Sequence, residues 1–269
     1  MSIIKPPFEI TGSIRGISFY KQYGSDKVIM RTKGGATRDK IRKSPKFAKL
    51  RLHQAEWKGC VKMSVTICNS LFYVKHLADF NVSSYMNGFS KRLQALDTEN
   101  PIGGRKIQLS GYKYLLDEFQ LNRMHSFASI LRISPAWVIR RETMEANVQL
   151  PYINTTIQLV NPYNYPYFRV ITSLGIVSDM MLDPEKKIYI PCIKNGNGLV
   201  DVNRTEWYST NREIDAQEVI LNIKDSEYDT EREDFSLVLS IGVEFGKAGM
   251  GTQPEVVRHA GSARVLGVR

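Results

Sequence analysis

The feature that most constrains this 269-residue chain is a change of hydrophobic period near residue 140. From about residue 44 to that point apolar residues recur every three or four positions, and after it they alternate with polar ones. The first spacing is that of an amphipathic helix, and the second is that of a strand with one buried face. The sequence therefore predicts a helical part followed by a β part.

The β part contains eight candidate strands with no helical stretch between them. In the clearest one, FSLVLSIGVEF, every second residue from Phe235 to Phe245 is apolar, so one face of the strand is apolar. Consecutive strands without crossover helices are typical of an antiparallel sandwich. The candidate strands are residues 146–150, 155–160, 167–177, 187–193, 205–209, 218–223, 235–245 and 255–268.

A Ser-Pro pair, Ser44 and Pro45, predicts the start of a long helix, with Ser44 as its cap. From there an apolar stripe with steps of three and four predicts a helix of about 28 residues, with Gly59 as a weak point. Two more helices are predicted at residues 83–96 and 112–131, separated by the breaker NPIGG. The stripe, predicted to be the buried face, consists of Phe47, Leu50, Gln54, Trp57, Val61, Val65, Cys68 and Leu71 or Phe72.

The beginning of the chain predicts a β-hairpin and a charged connector. Residues 14–21 and 27–32 are rich in β-branched and aromatic residues, and Tyr-Gly-Ser-Asp between them supplies turn chemistry. The predicted fold class is α+β, with an N-terminal β-hairpin and helical region followed by an antiparallel β-sandwich. We expect three parts: a basic hairpin arm and connector (1–43), a helical region (44–140) and an antiparallel β-sandwich domain (141–269).

Positive charge is concentrated at the N-terminal end. Residues 1–62 hold fifteen Lys and Arg against four acids, whereas the whole chain has a net charge of +10, so residues 63–269 carry −1. Residues 213–234 hold nine acids against two basic residues, which makes this late segment acidic. We single out as partner-binding the basic residues Arg31, Lys33, Arg38, Lys40, Arg42, Lys43, Lys46, Lys49 and Arg51. The predicted acidic docking patch comprises Glu213, Asp215, Asp225, Glu227, Asp229, Glu231, Glu233 and Asp234.

This charge distribution supports two functional hypotheses. The first is a non-enzymatic structural subunit that self-assembles into a homo-oligomer or filament, with the basic arm docking on the acidic patch or a sheet edge of the next copy. Such a head-to-tail contact, when repeated, builds a ring or a filament. The alternative is a DNA- or RNA-binding protein in which the basic N-terminal residues contact phosphates. Both hypotheses place an acidic counterpart outside the subunit.

The glycine-rich stretch GVEFGKAGMG, residues 242–251, departs from the phosphate-binding loop of nucleotide-binding proteins. Three residues rather than four separate its first two glycines, and Ala248 follows Lys247 where the motif needs Ser or Thr. A flexible connection between the last two strands is the simpler interpretation. The sequence has no nucleophile elbow and no other recognisable catalytic motif. We therefore predict no catalytic residue and no enzymatic activity.

Four potential zinc ligands lie in the long predicted helix and just beyond it, but their spacing is wrong for one ion. They are separated by seven or eight residues, which on a helix corresponds to roughly 10 to 12 Å. Zinc ligands must lie within about 2.3 Å of the metal. We therefore predict that the protein binds no metal and no other cofactor. The four residues are His53, Cys60, Cys68 and His76.

The chain carries no recognisable targeting or membrane-spanning segment. Its start, MSIIKPP, lacks the apolar stretch of a secretory signal, and the most apolar window, residues 65–74, is about half the length of a spanning helix. Three cysteines are too few for a disulfide framework and suit a reducing compartment. We expect a protein that is cytoplasmic when synthesised, without a membrane partner, and that enters a larger particle or filament under the assembly hypothesis.

Four short motifs resemble an uncharacterised family of hypothetical proteins found in Bacteroidota. They are Gly-x-x-x-Tyr-Lys at residues 16–21, Arg-Thr-Lys at 31–33, Ser-Pro-x-Phe at 44–47 and SIGVEFGKAGMG at 240–251. The likeness covers the chain up to about residue 60 and again from about residue 235. Because that family has no established activity, the resemblance implies no catalytic residue. It does imply a protein with a helical part and a sandwich part.

Overall fold

The computed structural model describes residues 2–4, 11–22, 27–32, 34–193, 198–223, 232–249, 251 and 253–269. The chain divides into two compact units, Met1–Arg51 and Leu52–Arg269. Helices and antiparallel sheets both contribute, beginning with N-terminal strands and continuing through helices to a C-terminal antiparallel sheet. The predicted α+β fold class is therefore confirmed.

The first unit, which we call the arm, is built on a small antiparallel sheet. Its strands are β1 (Ser2–Ile4), β2 (Gly12–Ile14), β3 (Ile17–Lys21) and β4 (Val28–Thr32), arranged in the order β1-β4-β3-β2. The predicted hairpin corresponds to β3 and β4. A short helix, α1 (Arg38–Lys43), and a 3-10 turn, Pro45–Phe47, follow. Among the arm's described side chains, Val28 is the only buried one.

The second unit is organised around a central sheet. Its described strands are β5 (Ala136–Arg140), β6 (Glu145–Leu150), β7 (Tyr167–Ser178), β8 (Met180–Asp183), β9 (Ile188–Pro191), β10 (Val200–Arg204), β11 (Tyr208–Ser209), β12 (Gln217–Asn222), β13 (Phe235–Lys247) and β14 (Glu255–Val268). The central sheet has the strand order β10-β7-β13-β14, with β11 also paired to β7, and an outer sheet has the order β12-β6-β5. Strands β8 and β9 form a separate hairpin.

One core lies between the central and outer sheets. The alternating apolar residues of β13 from Phe235 to Phe245 all belong to it, as the sequence predicted. From the outer sheet, Val148 and Val219 point into the same core and are fully or almost fully buried. This part of the molecule is a sheet-on-sheet arrangement in which side chains alternate between inside and outside.

Helices cover the opposite face of the central sheet and form a second core with it. The α-helices that follow α1 in the described residues are α2 (Ala48–Ser70), α3 (Val82–Ala95), α4 (Phe127–Ile130) and α5 (Thr155–Gln158). Helices α2 and α3 contribute to this second core, whereas α4 contributes to the core between the sheets. Met63 and Ile67 of α2 and Met86 of α3 pack here against sheet residues such as Val238 and Val265. Residues 52–140 therefore share a core with residues 141–269, and the predicted boundary at residue 140 does not separate two compact units. None of the described helices is long and apolar enough to cross a membrane.

The buried face of α2 departs from the predicted apolar stripe over much of its length, although Cys68 and Leu71 are buried as predicted. Trp57 is 46% exposed and Val65 is 53% exposed, whereas Cys60, Met63 and Ile67 are completely buried. Gly59 explains part of the difference, because a Cβ at this position would lie 2.5 Å from the Tyr189 ring. The residue that weakens the helix locally lets an aromatic ring pack directly on the helix backbone.

The prediction of a helix over residues 112–131 is also wrong. A 3-10 turn, Ser110–Leu115, and the single turn of α4 lie at its two ends, and the segment between them pairs with β14. The Leu121 N–H donates to the Ala263 carbonyl at 2.8 Å, and the Val265 N–H donates to the Phe119 carbonyl at 2.9 Å. These bonds to a distant strand replace the local hydrogen bonds that a helix would make.

Candidate functional site

The basic residues of the arm lie on its surface, mostly on and around α1. This helix starts at Thr37, whose side-chain oxygen accepts a hydrogen bond from the Lys40 N–H at 3.3 Å. Arg38 and Arg42 are four residues apart and so share one side of the helix. Lys33 lies outside the described residues. The exposed members of the predicted set are Arg31, Arg38, Lys40, Arg42, Lys43, Lys46 and Lys49.

Arg51 has a different role from the other predicted residues. Its Nη1 donates to the Ile41 carbonyl at 2.7 Å and to the Ser44 carbonyl at 2.8 Å, at the C-terminal end of α1. The carbonyls at a helix C-terminus lack partners within the helix, and a cation there is favourable. Arg51 therefore stabilises the fold of the arm itself, and the sequence-based prediction of a partner contact does not describe its position.

Among the described residues, the exposed members of the predicted basic set have few carboxylate partners within the arm. Arg42 lies 3.5 Å from Asp39 in an exposed pair, which contributes little to stability. Arg31 lies over the Tyr20 ring at 5.4 Å. Over the described part of the chain, Asp39 is the only carboxylate within ion-pair distance of the predicted basic set. The arm thus presents a cationic surface.

The predicted acidic docking patch is not one continuous surface. Glu213 and Asp215 lie before the first residue of β12, whereas Glu233 and Asp234 lie beside β13, near the other end of β12. A six-residue strand is about 20 Å long, so the two pairs are well separated. The other predicted acids, Asp225, Glu227, Asp229 and Glu231, lie outside the described residues.

Glu213 and Asp215 form an acidic cleft with a third acid that the sequence did not indicate. Glu206, Glu213 and Asp215 line a cleft of about 320 Å³ together with Arg212, and we call it the acidic cleft. Glu213 accepts a hydrogen bond from the Asn154 Nδ2 at 3.0 Å and remains exposed. Glu206 belongs to the connection between β10 and β11, outside the acidic segment, so no local charge pattern could have identified it.

The other two acids, Glu233 and Asp234, lie beside cations of the second unit. Both oxygens of Asp234 accept hydrogen bonds from the Arg232 guanidinium, the Nε bond being 3.0 Å long. Lys113 and Arg141 line the same cleft as Glu233 and Asp234. Because these cations lie beside the two acids, the region does not present the acidic surface that the sequence predicted.

A buried ionic cluster connects α2 to the loop that follows α3. Glu56 is completely buried, and its Oε1 accepts hydrogen bonds from the Gly103 N–H at 2.7 Å and the Arg105 Nε at 2.9 Å. Arg105 Nη2 also donates to Oε2 at 2.7 Å. Burial alone would raise the pKa of Glu56, but the bonds from Arg105 and Gly103 lower it to about 2. The carboxylate stays ionised and fixes the loop on the helix.

A second buried carboxylate lies at the edge of a larger cleft. Glu244 is 2.5 Å from His76 Nε2 and 2.6 Å from Arg169 Nε, and the Arg169 guanidinium lies 4.4 Å from the centre of the Trp207 ring. Burial acts to raise the pKa of Glu244, but the bonds from His76 and Arg169 outweigh it and lower the pKa. Arg169 and Trp207 line a cleft of about 800 Å³. Glu244 therefore orients Arg169 rather than serving as a proton donor.

The four potential zinc ligands occupy separate environments. His53 Nδ1 is 3.8 Å from Glu56, His76 contacts Glu244, and Cys60 and Cys68 are buried without a disulfide. Burial raises the pKa of Cys60 to about 11, so this cysteine is a neutral thiol. Within the residues that the structure describes, no group of three or more His, Cys, Asp or Glu side chains is placed to hold a metal ion.

Comparison of the chain with protein-family models, with curated proteins and with solved structures finds no match. The likeness to a Bacteroidota family therefore rests on the four sequence motifs alone. The functional interpretation depends on the two charged surfaces described above, the exposed basic residues of the arm and the acidic cleft of the second unit.

Proposed function

We propose that this protein is a non-enzymatic structural subunit that self-assembles, with the arm of one copy docking in the acidic cleft of the next. The observation that carries the proposal is the exposure of seven basic arm residues whose only described carboxylate partner is Asp39. The second unit offers Glu206, Glu213 and Asp215 in one cleft as a counterpart. Complementary charge of this kind steers two surfaces together and sets their register. Since the two surfaces differ, repeated docking produces a ring or a filament.

The edge of the arm sheet supports the same proposal. Strand β2 is at the end of the strand order β1-β4-β3-β2, and all three of its residues are exposed. Ile14 on this strand is 62% exposed. An edge strand has backbone groups that can pair with a strand from another chain. Addition of β2 to a neighbouring sheet would bury Ile14 and complete the pairing of the strand.

Nucleic-acid binding is a second candidate, favoured by the amount of charge on the arm. Residues 1–51 hold thirteen Lys and Arg against three acids. The acidic cleft offers three carboxylates and contains Arg212, so one cleft cannot neutralise the arm. A phosphate backbone supplies a high density of negative charge and binds such surfaces in a salt-dependent way. The same basic residues would then contact phosphates.

The two candidates are separated by measuring particle mass by light scattering at several salt concentrations, with and without nuclease treatment. Assembly predicts large particles that survive nuclease and dissociate in high salt. Replacing Arg38, Lys40, Arg42 and Lys43 with Glu should leave monomers. The matched control changes Lys58, Arg132, Lys186 and Arg258 to Glu, four exposed residues of the second unit, and should assemble normally.

A charge-swap experiment tests the acidic cleft as the docking site. Replacing Glu206, Glu213 and Asp215 with Lys should also prevent assembly, because the cationic arm would then be repelled. Mixing this variant with the arm-reversed variant should restore large particles, since the acidic arm of one can dock in the basic cleft of the other. Large particles from the arm-reversed variant alone would refute the assembly proposal. Loss of nucleic-acid binding in that variant, with only monomers in every nuclease-treated sample, would establish the second candidate instead.

A further inference from the structure

A second charged cleft lies in the second unit, away from the residues used in the proposed assembly. Its volume is about 600 Å³, within the range typical of small-molecule sites. Three segments that are distant in sequence form it: the 3-10 turn Ser110–Leu115, the turn between β5 and β6, and the residues just before β13. The lining includes Ser110, Lys113, Arg141, Arg232, Glu233 and Asp234.

Arg141 is held rigidly in this cleft by neutral groups. Its Nη1 donates to the Phe235 carbonyl at 3.0 Å, its Nη2 donates to the Arg232 carbonyl at 2.8 Å, and the guanidinium lies 4.1 Å from the centre of the Phe235 ring. These contacts fix the position of the cation, and Glu142, Glu233 and Asp179 act on its charge only from beyond ion-pair distance. Arg232, in contrast, is neutralised by Asp234. Across the described ranges, no carboxylate lies within ion-pair distance of Lys113 or Arg141.

The nearest buried acid is already engaged. Asp179 is 1% exposed, and its Oδ1 accepts hydrogen bonds from the Leu109 N–H at 2.8 Å and the Ser110 N–H at 3.1 Å. Its Oδ2 accepts from the Ser110 hydroxyl at 2.5 Å. This carboxylate therefore holds the 3-10 turn in place, and the turn in turn carries Lys113. Its oxygens accept hydrogen bonds from Leu109 and Ser110 rather than from Lys113.

The electrostatics of Lys113 indicate a positive surplus in the cleft. Burial lowers the pKa of Lys113, and the charges of Arg141 and Arg269 lower it further, against the opposing effect of Glu233 and Asp179. A lysine in this situation gains from any anion that approaches, because the anion favours its charged form. The cleft thus combines room for a ligand, one rigid guanidinium and one ammonium group that lacks a carboxylate partner.

We propose that this cleft, which we call the cationic cleft, binds a phosphate group, either as the free ion or carried by a small molecule. A phosphate monoester carries a charge of about −1.5 to −2 at neutral pH and offers three acceptor oxygens, which matches two cationic donors. A guanidinium and an ammonium group both form strong, charge-assisted hydrogen bonds with phosphate. The inference is independent of the assembly proposal, because it uses none of the arm or acidic-cleft residues.

Isothermal titration calorimetry at constant ionic strength tests this proposal with three probes: inorganic phosphate, glycerol 1-phosphate and the dicarboxylate succinate. Lys113→Gln removes the ammonium group and no hydrogen bond that the structure shows, so it should fold normally and weaken phosphate binding about tenfold or more. Lys113→Arg should retain most of the affinity. Lys186→Gln, an exposed lysine in the turn between β8 and β9, is the matched control and should bind as the unaltered protein does.

Covalent labelling locates the site without any substitution. Lysines are acylated with acetic anhydride in the presence and absence of inorganic phosphate, and modified peptides are quantified by mass spectrometry. Lys113 should be protected by phosphate, whereas Lys186 should not. Tighter binding of glycerol 1-phosphate than of inorganic phosphate would identify a phosphorylated molecule as the ligand, and the reverse would identify the free ion. Succinate binding as tight as phosphate binding would overturn the proposal. So would labelling of Lys113 that phosphate does not change together with an unchanged phosphate affinity of Lys113→Gln.

Discussion

The arm and the second unit differ in what holds them together. The arm buries one described side chain, Val28, whereas the second unit has one core between its two sheets and another between sheet and helices. Their charges differ as well. Residues 1–51 hold thirteen basic residues against three acids, but residues 52–269 hold twenty-four of each. A small sheet with almost no core is marginally stable in isolation. The second unit therefore holds most of the described core, whereas the arm exposes most of its described side chains.

The largest expected effect on stability comes from removing the buried ion pair of Glu56 with Arg105 in the second unit, and the exposed pair of Asp39 with Arg42 in the arm is its comparison. Glu56→Gln should destabilise the second unit by about 3 to 5 kcal/mol, because it leaves the partly buried Arg105 without its carboxylate. Asp39→Asn in the arm should produce no measurable change, since its pair with Arg42 is exposed. Urea unfolding at pH 7 measures both. Equal effects of the two substitutions would contradict the distinction between the regions.

The same substitution has a defined pH dependence. The folded-state pKa of Glu56 is about 2, below its ordinary value of 4.5, so its stabilising contribution is present above pH 4.5 and is lost as pH falls toward 2. The difference in stability between the unaltered protein and Glu56→Gln should therefore shrink over that interval. A difference that stays constant from pH 7 to pH 2.5 would show that the charge of Glu56 is unimportant.

The next effect establishes which face of α2 belongs to the core of the second unit. Ile67→Ala should cost about 2 to 5 kcal/mol, because it leaves a cavity at a completely buried position. Val65→Ala, on the exposed stripe, should change stability by no more than about 0.5 kcal/mol. Thermal unfolding followed by circular dichroism is sufficient. A larger effect at Val65 than at Ile67 would support the face predicted from the sequence.

A matched pair of valines compares the cores directly. Val243→Ala removes two methyl groups from the sandwich core and should cost about 2 kcal/mol. Val28→Ala removes the same groups from the arm, where the other described side chains are half-buried or exposed, and should leave the main unfolding transition in place. Calorimetry of both variants makes the comparison. A main transition that shifts equally in both would indicate that the arm is part of the cooperative unit.

The smallest effect on stability is expected from reversing the charge of the arm. The variant with Glu at positions 38, 40, 42 and 43 changes only exposed side chains, and substitutions at such sites usually alter stability by less than about 0.5 kcal/mol each. Its unfolding midpoint, measured on nuclease-treated protein in high salt, should match that of the unaltered protein. A large decrease would mean that these residues stabilise the fold rather than contact a partner.

The prediction of a strand over residues 155–160 is wrong, because Thr155–Gln158 form the helix α5. Strand β13 was nevertheless more predictable than helix α2. Both faces of β13 are buried, yet alternation remains visible because large apolar residues face the sandwich core while positions such as Ser240 and Gly242 face the helices. On α2 polarity does not indicate which face is buried, because the polar residues Glu56 and Ser70 are buried and Trp57 is exposed. Hydrogen bonds from Arg105 and Gly103, more than 45 residues away, make the burial of Glu56 favourable.

The residues of the candidate sites divide in the same way. The basic residues of the arm are adjacent in sequence, and a count of charges is sufficient to find most of them, although it cannot distinguish Arg51, which binds carbonyls of its own helix. Glu206 and the pair formed by Lys113 and Arg141 carry no local signal. They became recognisable only when the fold placed them in the acidic cleft and the cationic cleft.

By itself, the sequence determined the α+β class, the concentration of positive charge at the N-terminal end and the alternating pattern of strand β13. These are properties of neighbouring residues, so they can be read from period and composition. Only the tertiary structure decided which face of α2 is buried, why residues 116–126 are not helical, and which acids and cations converge. Each of those outcomes depends on hydrogen bonds and close packing between distant segments, and their energies exceed the local preferences that a sequence pattern records.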